Sequence, residues 1–318
     1  MAPRMNIPAC SWVVALAIAA LLVPTAALSV SADELENDRE VSYVEGPDSF
    51  EMVSESSGFK VNDQFSISFD EGSITATYTA DPATTAIRDW QLELTLERVI
   101  GFKDNGNGVL DSGDTTVWTE DVEDMTFAVI SDFAPLPDGG NLTTVTAVSE
   151  GGMLTLEFAF TTSPALVGDV PISPTDVKLS IRLDLTDSEG TFDKVALVIS
   201  AEVDYLSTLA YEGEDDHQEL NLTHDSMGGF FSWSSNATVD GSSVPVGVSW
   251  SENDLALTYP AGDLIVHDPV IGVRSVAALS GIGQVSEIIG NPAVFIAGLA
   301  FASALVLGTV IVRKRNKD

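Results

Sequence analysis

Val177-Lys178-Leu179-Ser180-Ile181-Arg182-Leu183-Asp184-Leu185 alternates apolar and polar side chains without a break. Successive side chains of an extended strand point to opposite faces, so this stretch would bury one face and solvate the other. The same period recurs on both sides of it. Upstream, Leu92, Leu94 and Leu96 face away from Gln91, Glu93, Thr95 and Glu97, and Leu154, Leu156, Phe158 and Phe160 share a face. Downstream, Val195, Leu197, Ile199, Ala201 and Val203 form one set, Val244, Val246, Val248 and Trp250 the next, and Leu255, Leu257 and Tyr259 the last. Further strands are expected at 65–69, 74–79, 116–118, 125–130, 145–148 and 230–233, and no amphipathic helical period stands out between Asp33 and Val270. Many short strands, each apolar on one face, predict an all-β fold: an antiparallel β-sandwich in which two sheets pack face to face.

The organisation around these strands is simple. The polar run Glu212-Gly213-Glu214-Asp215-Asp216-His217 is the one candidate boundary between sub-domains, near 207–217. It lacks the Pro, Gly and Ser density of a linker, which favours a single unit over 33–270 with a long loop there. No internal repeat of fixed period is visible. Residues 271–292 read as a mildly apolar connector, too short for an extended stalk.

Both ends of the chain speak of export. Ala293 to Val312 contains no charged residue and is followed by the basic tail Arg313-Lys314-Arg315-Asn316-Lys317-Asp318. At about 1.5 Å per helical residue such a run reaches roughly 30 Å, the thickness of a bilayer's hydrocarbon core. A C-terminal transmembrane helix over 293–312 is expected, with the basic residues 313–318 retained in the cytoplasm. A buried core helix would carry a polar stripe, and this run has none. At the other end Arg4 precedes an apolar stretch from Trp12 to Val23, and small residues lead to Val30-Ser31-Ala32. That is the layout of a signal peptide over 1–32, cleaved near Ala32. Cys10, the only cysteine, lies before the apolar stretch, so the mature chain would have neither disulfide nor thiolate chemistry nor cysteine-ligated zinc.

Export also segregates charge. The region from Asp33 to about residue 290 holds 47 of the 48 acids and nine of the 14 bases, a net of −38. Nucleic acid would be repelled by that sign, and so would an anionic lipid surface. Two explanations remain, adaptation to salty surroundings or a surface that gathers cations. The scarcity of lysine beside abundant Ala, Val, Thr and Asp favours the first.

The sharpest chemical motif is Lys103-Asp104-Asn105-Gly106-Asn107-Gly108-Val109-Leu110-Asp111-Ser112-Gly113-Asp114. It resembles the calcium loops of EF-hand and dockerin-like proteins over these 12 residues. With Gly108 at the tight turn, the resemblance implies oxygen ligands from Asn105, Asn107, the Val109 carbonyl, Asp111 and Asp114, and calcium as the cofactor. Lys103 occupies the first ligand place and cannot coordinate, so Asp104 would have to substitute from the next position. Asp114 is shorter than the usual Glu. The competing reading is a plain hairpin turn, because Asn105-Gly106 and Asn107-Gly108 are dipeptides that accept positive φ between strands.

Three sequons begin at Asn141, Asn221 and Asn236 and are candidate N-glycosylation sites that would mark exposed positions. His217 and His224 lie among Asp215, Asp216, Glu219 and Asp225, where a transition-metal site is conceivable. Their spacing matches no common ligand pattern, and solvated histidines beside carboxylates are the ordinary case. The many acids make no carboxylate pair stand out for glycoside hydrolysis. There is no Gly-x-Ser-x-Gly elbow, no His-Glu-x-x-His and no phosphate-cradling glycine loop, so no catalytic residue is assigned. Trp90 and Trp250 continue the apolar faces of their strands. Trp118 and Trp233 are the two that could stack on sugars if exposed.

The segment Tyr259 to Val273, the Asn-Gly loop and the terminal anchor together resemble single-pass, type I surface proteins of archaea. That resemblance implies surface display and a β-rich ectodomain, and carries no activity. The expectation is a membrane-anchored cell-surface protein with a structural or interaction role in the cell envelope. It would be stabilised by calcium and partnered by envelope proteins or glycans. A carbohydrate-binding receptor is the alternative, and an ectoenzyme acting on surface glycans stands behind it.

Overall fold

A computed structural model describes residues 39–275, apart from 58–61, 81–88, 138, 189, 205–206, 214–216 and 225–226. The expected signal peptide, transmembrane helix and tail lie outside the described residues. Among the described residues no helix is long and apolar enough to cross a membrane.

The described chain is all-β and antiparallel. β1 (Arg39–Glu45), β2 (Ser49–Ser57), β3 (Asn62–Asp70), β4 (Ser73–Thr79) and β5 (Trp90–Lys103) are successive neighbours, and β6 (Thr115–Asp121) pairs with the far half of β5. A 3-10 turn at Val122–Asp124 leads to the meander β7 (Phe127–Pro135), β8 (Asn141–Ser149) and β9 (Leu154–Thr161). β10 (Ala165–Val167) and β11 (Val170–Ile172) make a hairpin of their own. β12 (Asp176–Asp184) and β13 (Lys194–Val203) then enter different sheets. β14 (Thr208–Gly213), β15 (His217–His224), β16 (Met227–Ser234), β17 (Asn236–Val239) and β18 (Ser242–Pro245) follow. β19 (Gly247–Ser251), β20 (Asp254–Pro260), β21 (Leu264–His267) and β22 (Val270–Ser275) complete the order.

Nine strands form one sheet, in the order β1-β2-β3-β4-β5-β13-β20-β19 with β6 on β5. Eleven form the other, with β12 at its centre: β9, β8 and β7 extend from one side, and β22 and β21 share the opposite side. The two sheets bury their apolar faces against each other. Phe50 of β2 meets Phe158 of β9 at 4.9 Å between ring centroids, and Phe69 of β3 meets Phe127 of β7 at 5.1 Å. Trp90 lies flat under Gly229 of β16, where an added Cβ would come within 2.9 Å of the indole. Rings that interlock at such distances make the core a packed solid, and aromatic pairs add to the burial itself.

The alternating segments occupy the places their periods imply. Leu179, Ile181 and Leu183 of β12 and Val195, Leu197 and Ile199 of β13 are buried in the shared core. β5 shows a change of parity. Val198 pairs with Arg98 but Ile199 pairs with Leu96, so Glu97 is an extra residue bulged out of the ladder. Before the bulge Leu92, Leu94 and Leu96 face the core, and after it Val99 does. The same shift turns Ile100 and Phe102 to the outer face, where with Ala196, Val198 and Ala256 they form a second, small apolar cluster.

Three expectations about the chain's course change. The polar run at 212–217 is partly strand: Glu212 and Gly213 end β14, His217 opens β15, and the two strands pair from Thr208↔Thr223 to Gly213↔Gln218. Strands from both sides of it interleave in both sheets, β20 beside β13 and β22 beside β12. Val244 to Trp250 is not one strand. β18 belongs to the larger sheet and β19 to the smaller, and the chain crosses between them at the buried Val246, whose N–H bonds the Ser235 carbonyl at 2.8 Å. Pro245 offers no N–H to continue the ladder, which suits a crossing there. Ile271–Ser275, read as the start of a connector, continue β22 inside the sheet.

β21 ends at His267 and β22 begins at Val270, with Asp268 and Pro269 between them, yet the register carries on across that gap. Ile181↔His267 and Lys178↔Val270 belong to one continuous alignment, and the Pro269 carbonyl accepts the Leu179 N–H at 2.8 Å. Pro269 is tolerated because the neighbour on its other side changes there from β17 to β16.

Both ends of the described chain leave from one pole. Arg39 opens β1 and pairs with Asp63, which also accepts the Tyr78 hydroxyl at 3.1 Å. Tyr78 stacks on Trp90, Trp90 lies under Gly229, and Gly229 is paired with Val273 two residues before the end of β22. The 14 residues of β5 then carry the chain from Trp90 at this pole to Lys103 at the other. At roughly 3.3 Å per residue that is a traverse of about 45 Å.

Candidate functional site

Loop 104–114 joins β5 to β6 at the far pole, and its side chains turn inward. Asn105 donates its amide to Asp111 Oδ1 at 2.9 Å, and Asn107 donates its own to Asp111 Oδ2. Asp114 Oδ1 accepts the Asn105 N–H at 2.9 Å, and its Oδ2 accepts the Asp111 N–H at 2.8 Å. Asn107 Oδ1 accepts the Val109 N–H at 3.0 Å. Four of the expected ligand residues, Asn105, Asn107, Asp111 and Asp114, are thus brought together, with the Val109 backbone beside them. Gly106 and Gly108 have φ of 105° and 81°, conformations that a Cβ would strain.

Asp104 is not brought to the same place. Its two carboxylate oxygens accept the Gly108 N–H at 3.1 and 3.2 Å, so it closes the turn from the outside. Lys103 is the last, exposed residue of β5. The convergent set is therefore two carboxylates and two amides, all hard oxygen donors of the kind calcium takes. Hydrogen bonds from the Gly113 N–H and the Asn105 and Asn107 amides hold the Asp111 carboxyl below its ordinary range, in the ionised form a cation needs. Among the described residues no group of three or more His, Cys, Asp or Glu side chains converges as a metal site.

The loop is docked as well as curled. Leu110 packs on the outer-face cluster of Ile100, Phe102, Ala196, Val198 and Ala256. Its N–H bonds Thr258 Oγ1 at 3.3 Å, and its carbonyl accepts Ser249 Oγ at 3.2 Å. Gly247 lies against the Gly108 carbonyl where a Cβ could not fit. The loop thereby covers β19, the last strand of its sheet. Leu110 fills no ligand place in the motif, and an apolar pair, Val109-Leu110, in a polar loop is the signal for its seat.

The three sequons part company. Asn141 opens β8 and Asn236 opens β17, and both are exposed. Asn221 is 8% exposed, against the expectation that a sequon marks the surface. Its amide donates to Glu219 Oε1 at 2.9 Å inside a polar network on the outer face of the larger sheet. Arg274 reaches both Glu219 oxygens, at 2.9 and 2.8 Å, and lies 4.2 Å over the Phe230 ring. Burial alone would raise the Glu219 carboxyl, but the His217 hydrogen bond, the Arg274 charge and the Asn221 amide hold it at about 2. His217 thus pairs with Glu219 at 3.3 Å, while His224 lies 3.5 Å from Ser207 Oγ, so the two are not brought to a common point.

The four tryptophans among the described residues are absorbed by packing. Trp90 and Trp233 are buried, and Trp118 and Trp250 pack against the core half-buried. Trp118 is seated so closely on Gly101 that a Cβ there would collide with its indole. A shallow, open groove of about 500 Å³ lies beside the β10–β11 hairpin, lined by Pro164, Leu166, Pro171 and Asp176 among others. Asp176 is the one carboxyl among the described residues held above its ordinary range, chiefly by burial. No protein-family model matches this chain, and no curated protein matches it.

Proposed function

We propose that this chain is a single-pass, type I cell-surface protein with a structural or interaction role in the cell envelope. Its signal peptide is removed, residues 293–312 cross the membrane, and the acidic β domain works outside. The observation that carries this reading is the common pole of Arg39 and Ser275. A body whose two ends leave together is tethered at one pole and presents the other, and here the other pole holds loop 104–114, about 45 Å away along β5. Absorption of the tryptophans into packing supports cohesion over sugar recognition by those residues.

Calcium belongs to this reading as a stabiliser of the distal loop. Two carboxylates and two amides make a weakly charged donor set, of the class that binds in the roughly 0.1–1 mM range of extracellular modules. Asn141 and Asn236 are the sequons that would carry glycans.

Surface display is tested with the full chain carrying Ser112→Cys. Ser112 is exposed in the distal loop, and the natural Cys10 lies in the segment removed on export. A membrane-impermeant maleimide should label this variant on intact cells. Labelling only after lysis sinks the proposal.

A further inference from the structure

Among the exposed large hydrophobic residues, Phe133 is an aromatic ring 60% exposed near the end of β7. An aromatic face left in water at a strand end calls for a reason, and its neighbours supply one. In the β7–β8 ladder Phe133 pairs with Thr143 and Pro135 pairs with Asn141. Side chains of directly paired residues share a face, so Phe133, Pro135, Asn141 and Thr143 all project to the same side. Asn141 and Thr143 are the acceptor and the hydroxyl of one sequon. The acceptor is diagonal to the ring across the ladder, a separation of roughly 7–8 Å that the first sugar of an attached glycan would span.

The surroundings suit a sugar. Tyr43 stands edge-on to Phe133 with ring centroids 6.1 Å apart. Glu45 Oε2 accepts both the Tyr43 hydroxyl at 2.9 Å and Ser131 Oγ at 2.8 Å. A carboxylate already gathering two hydroxyls, beside an exposed ring, offers the amphipathic lining that a pyranose fits: C–H groups on the aromatic face, hydroxyls toward the acid. Asn236 provides the internal comparison. It is exposed too, but its ladder partner is Pro245, and those of Thr238 are Ser243 and Val266, none of them aromatic.

We infer that an N-linked glycan on Asn141 folds back onto Phe133, with Tyr43, Ser131 and Glu45 contacting its first sugars. The inference rests on the reading of Asn141 as a glycan-bearing sequon. The glycan would cover the exposed ring and tie β7 to β1, adding to the Ser131–Glu45 hydrogen bond and the Tyr43–Phe133 ring contact. Glycan and aromatic therefore stabilise the fold together, each worth little without the other.

The test uses the full chain, produced in a host that glycosylates exported proteins, with site occupancy read by glycopeptide mass spectrometry. Thermal midpoints are compared for the parent, Asn141→Gln, Phe133→Ala and the double variant. Loss of the Asn141 glycan should lower the midpoint by roughly 2–4 °C when Phe133 is present and by less than a quarter of that in Phe133→Ala. Phe133→Tyr should restore the difference, and Asn236→Gln should give the same small shift in either background. Equal shifts for Asn141→Gln with and without Phe133 overturn the inference while leaving the sequon in use. An unoccupied Asn141 overturns the sequon reading and the inference with it.

Discussion

His267 is the residue whose surroundings say most about pH. It is 2% exposed, with Nδ1 at 3.0 Å from the Tyr259 hydroxyl and Nε2 at 3.0 Å from the Ser234 carbonyl. Burial is the main cause that holds its imidazole down at about 4, from an ordinary 6.5. A histidine with a lowered folded value favours the neutral form, so its contribution is complete above pH 6.5 and is lost as pH falls toward 4. The gap corresponds to about 3 kcal/mol. Replacing His267 by Gln, which can still donate and accept, should flatten the pH dependence of the thermal midpoint between pH 4 and 6.5. A parallel pair of curves refutes this. Glu219, held at about 2, acts in the same sense but in a lower window, losing its contribution as pH falls from 4.5 toward 2. Neither environment was legible in the sequence. The neighbours of His267 in the sequence give no sign of burial, and Asn221 looks like any sequon, because burial of a polar group depends on partners as distant as Ser234 and Arg274.

At the scale of elements, legibility followed the purity of the alternation. β9, β12 and β13 were plain because every core-facing position is apolar. β2 was missed because its core face runs Phe50, Met52, Ser54, Ser56 and loses its apolar signal half-way. The structure fills that half with polar chemistry: Arg39 bonds Ser54 Oγ at 3.1 Å and pairs with Asp63, and Ser54 Oγ donates to the Pro174 carbonyl at 2.8 Å. β15 was missed for a similar reason, with Leu220 and Leu222 its only apolar residues, alternating with Glu219, Asn221 and Thr223. The loop between β5 and β6 was legible as an oxygen-rich turn, whereas the hold of Asp104 on Gly108 and of Leu110 on the outer cluster was not. Those holds would give a bound calcium a structural consequence. A cation bound by Asp111 and Asp114 would fix the seat of Leu110 over β19. The thermal midpoint at constant high salt should therefore rise by a few degrees on adding about 5 mM calcium. Asp111→Ala should abolish the increment, and an increment unchanged in Asp111→Ala rules the site out.

For the whole molecule the decisive quantity is charge. The region expected outside the membrane carries a net of −38, and the ion pairs that relieve it are few, such as Arg39 with Asp63 and Arg274 with Glu219. Self-repulsion on this scale falls as salt shortens the screening length from about 10 Å at 0.1 M to about 3 Å at 1 M. The thermal midpoint should climb steadily over that range of sodium chloride, and a flat response would exclude repulsion as a main cost of folding. The two-sheet, antiparallel character was the part of the architecture that periodicity could reveal. The strand order was beyond it, because neighbours such as β12 and β21 are chosen across long separations in the chain.

That strand order sets a condition on how the protein is made. One side of β12 receives β21 through Asp184↔Leu264, a separation of 80 residues, and β16 receives its inner neighbour only with β22. At a synthesis rate of about 5–20 residues per second, β12 waits roughly 4–16 s with that edge bare. A chain broken off anywhere before residue 264 can never close either strand. The body thus closes late: only a chain made through Val270–Ser275 leaves no raw edge at the centre of this sheet.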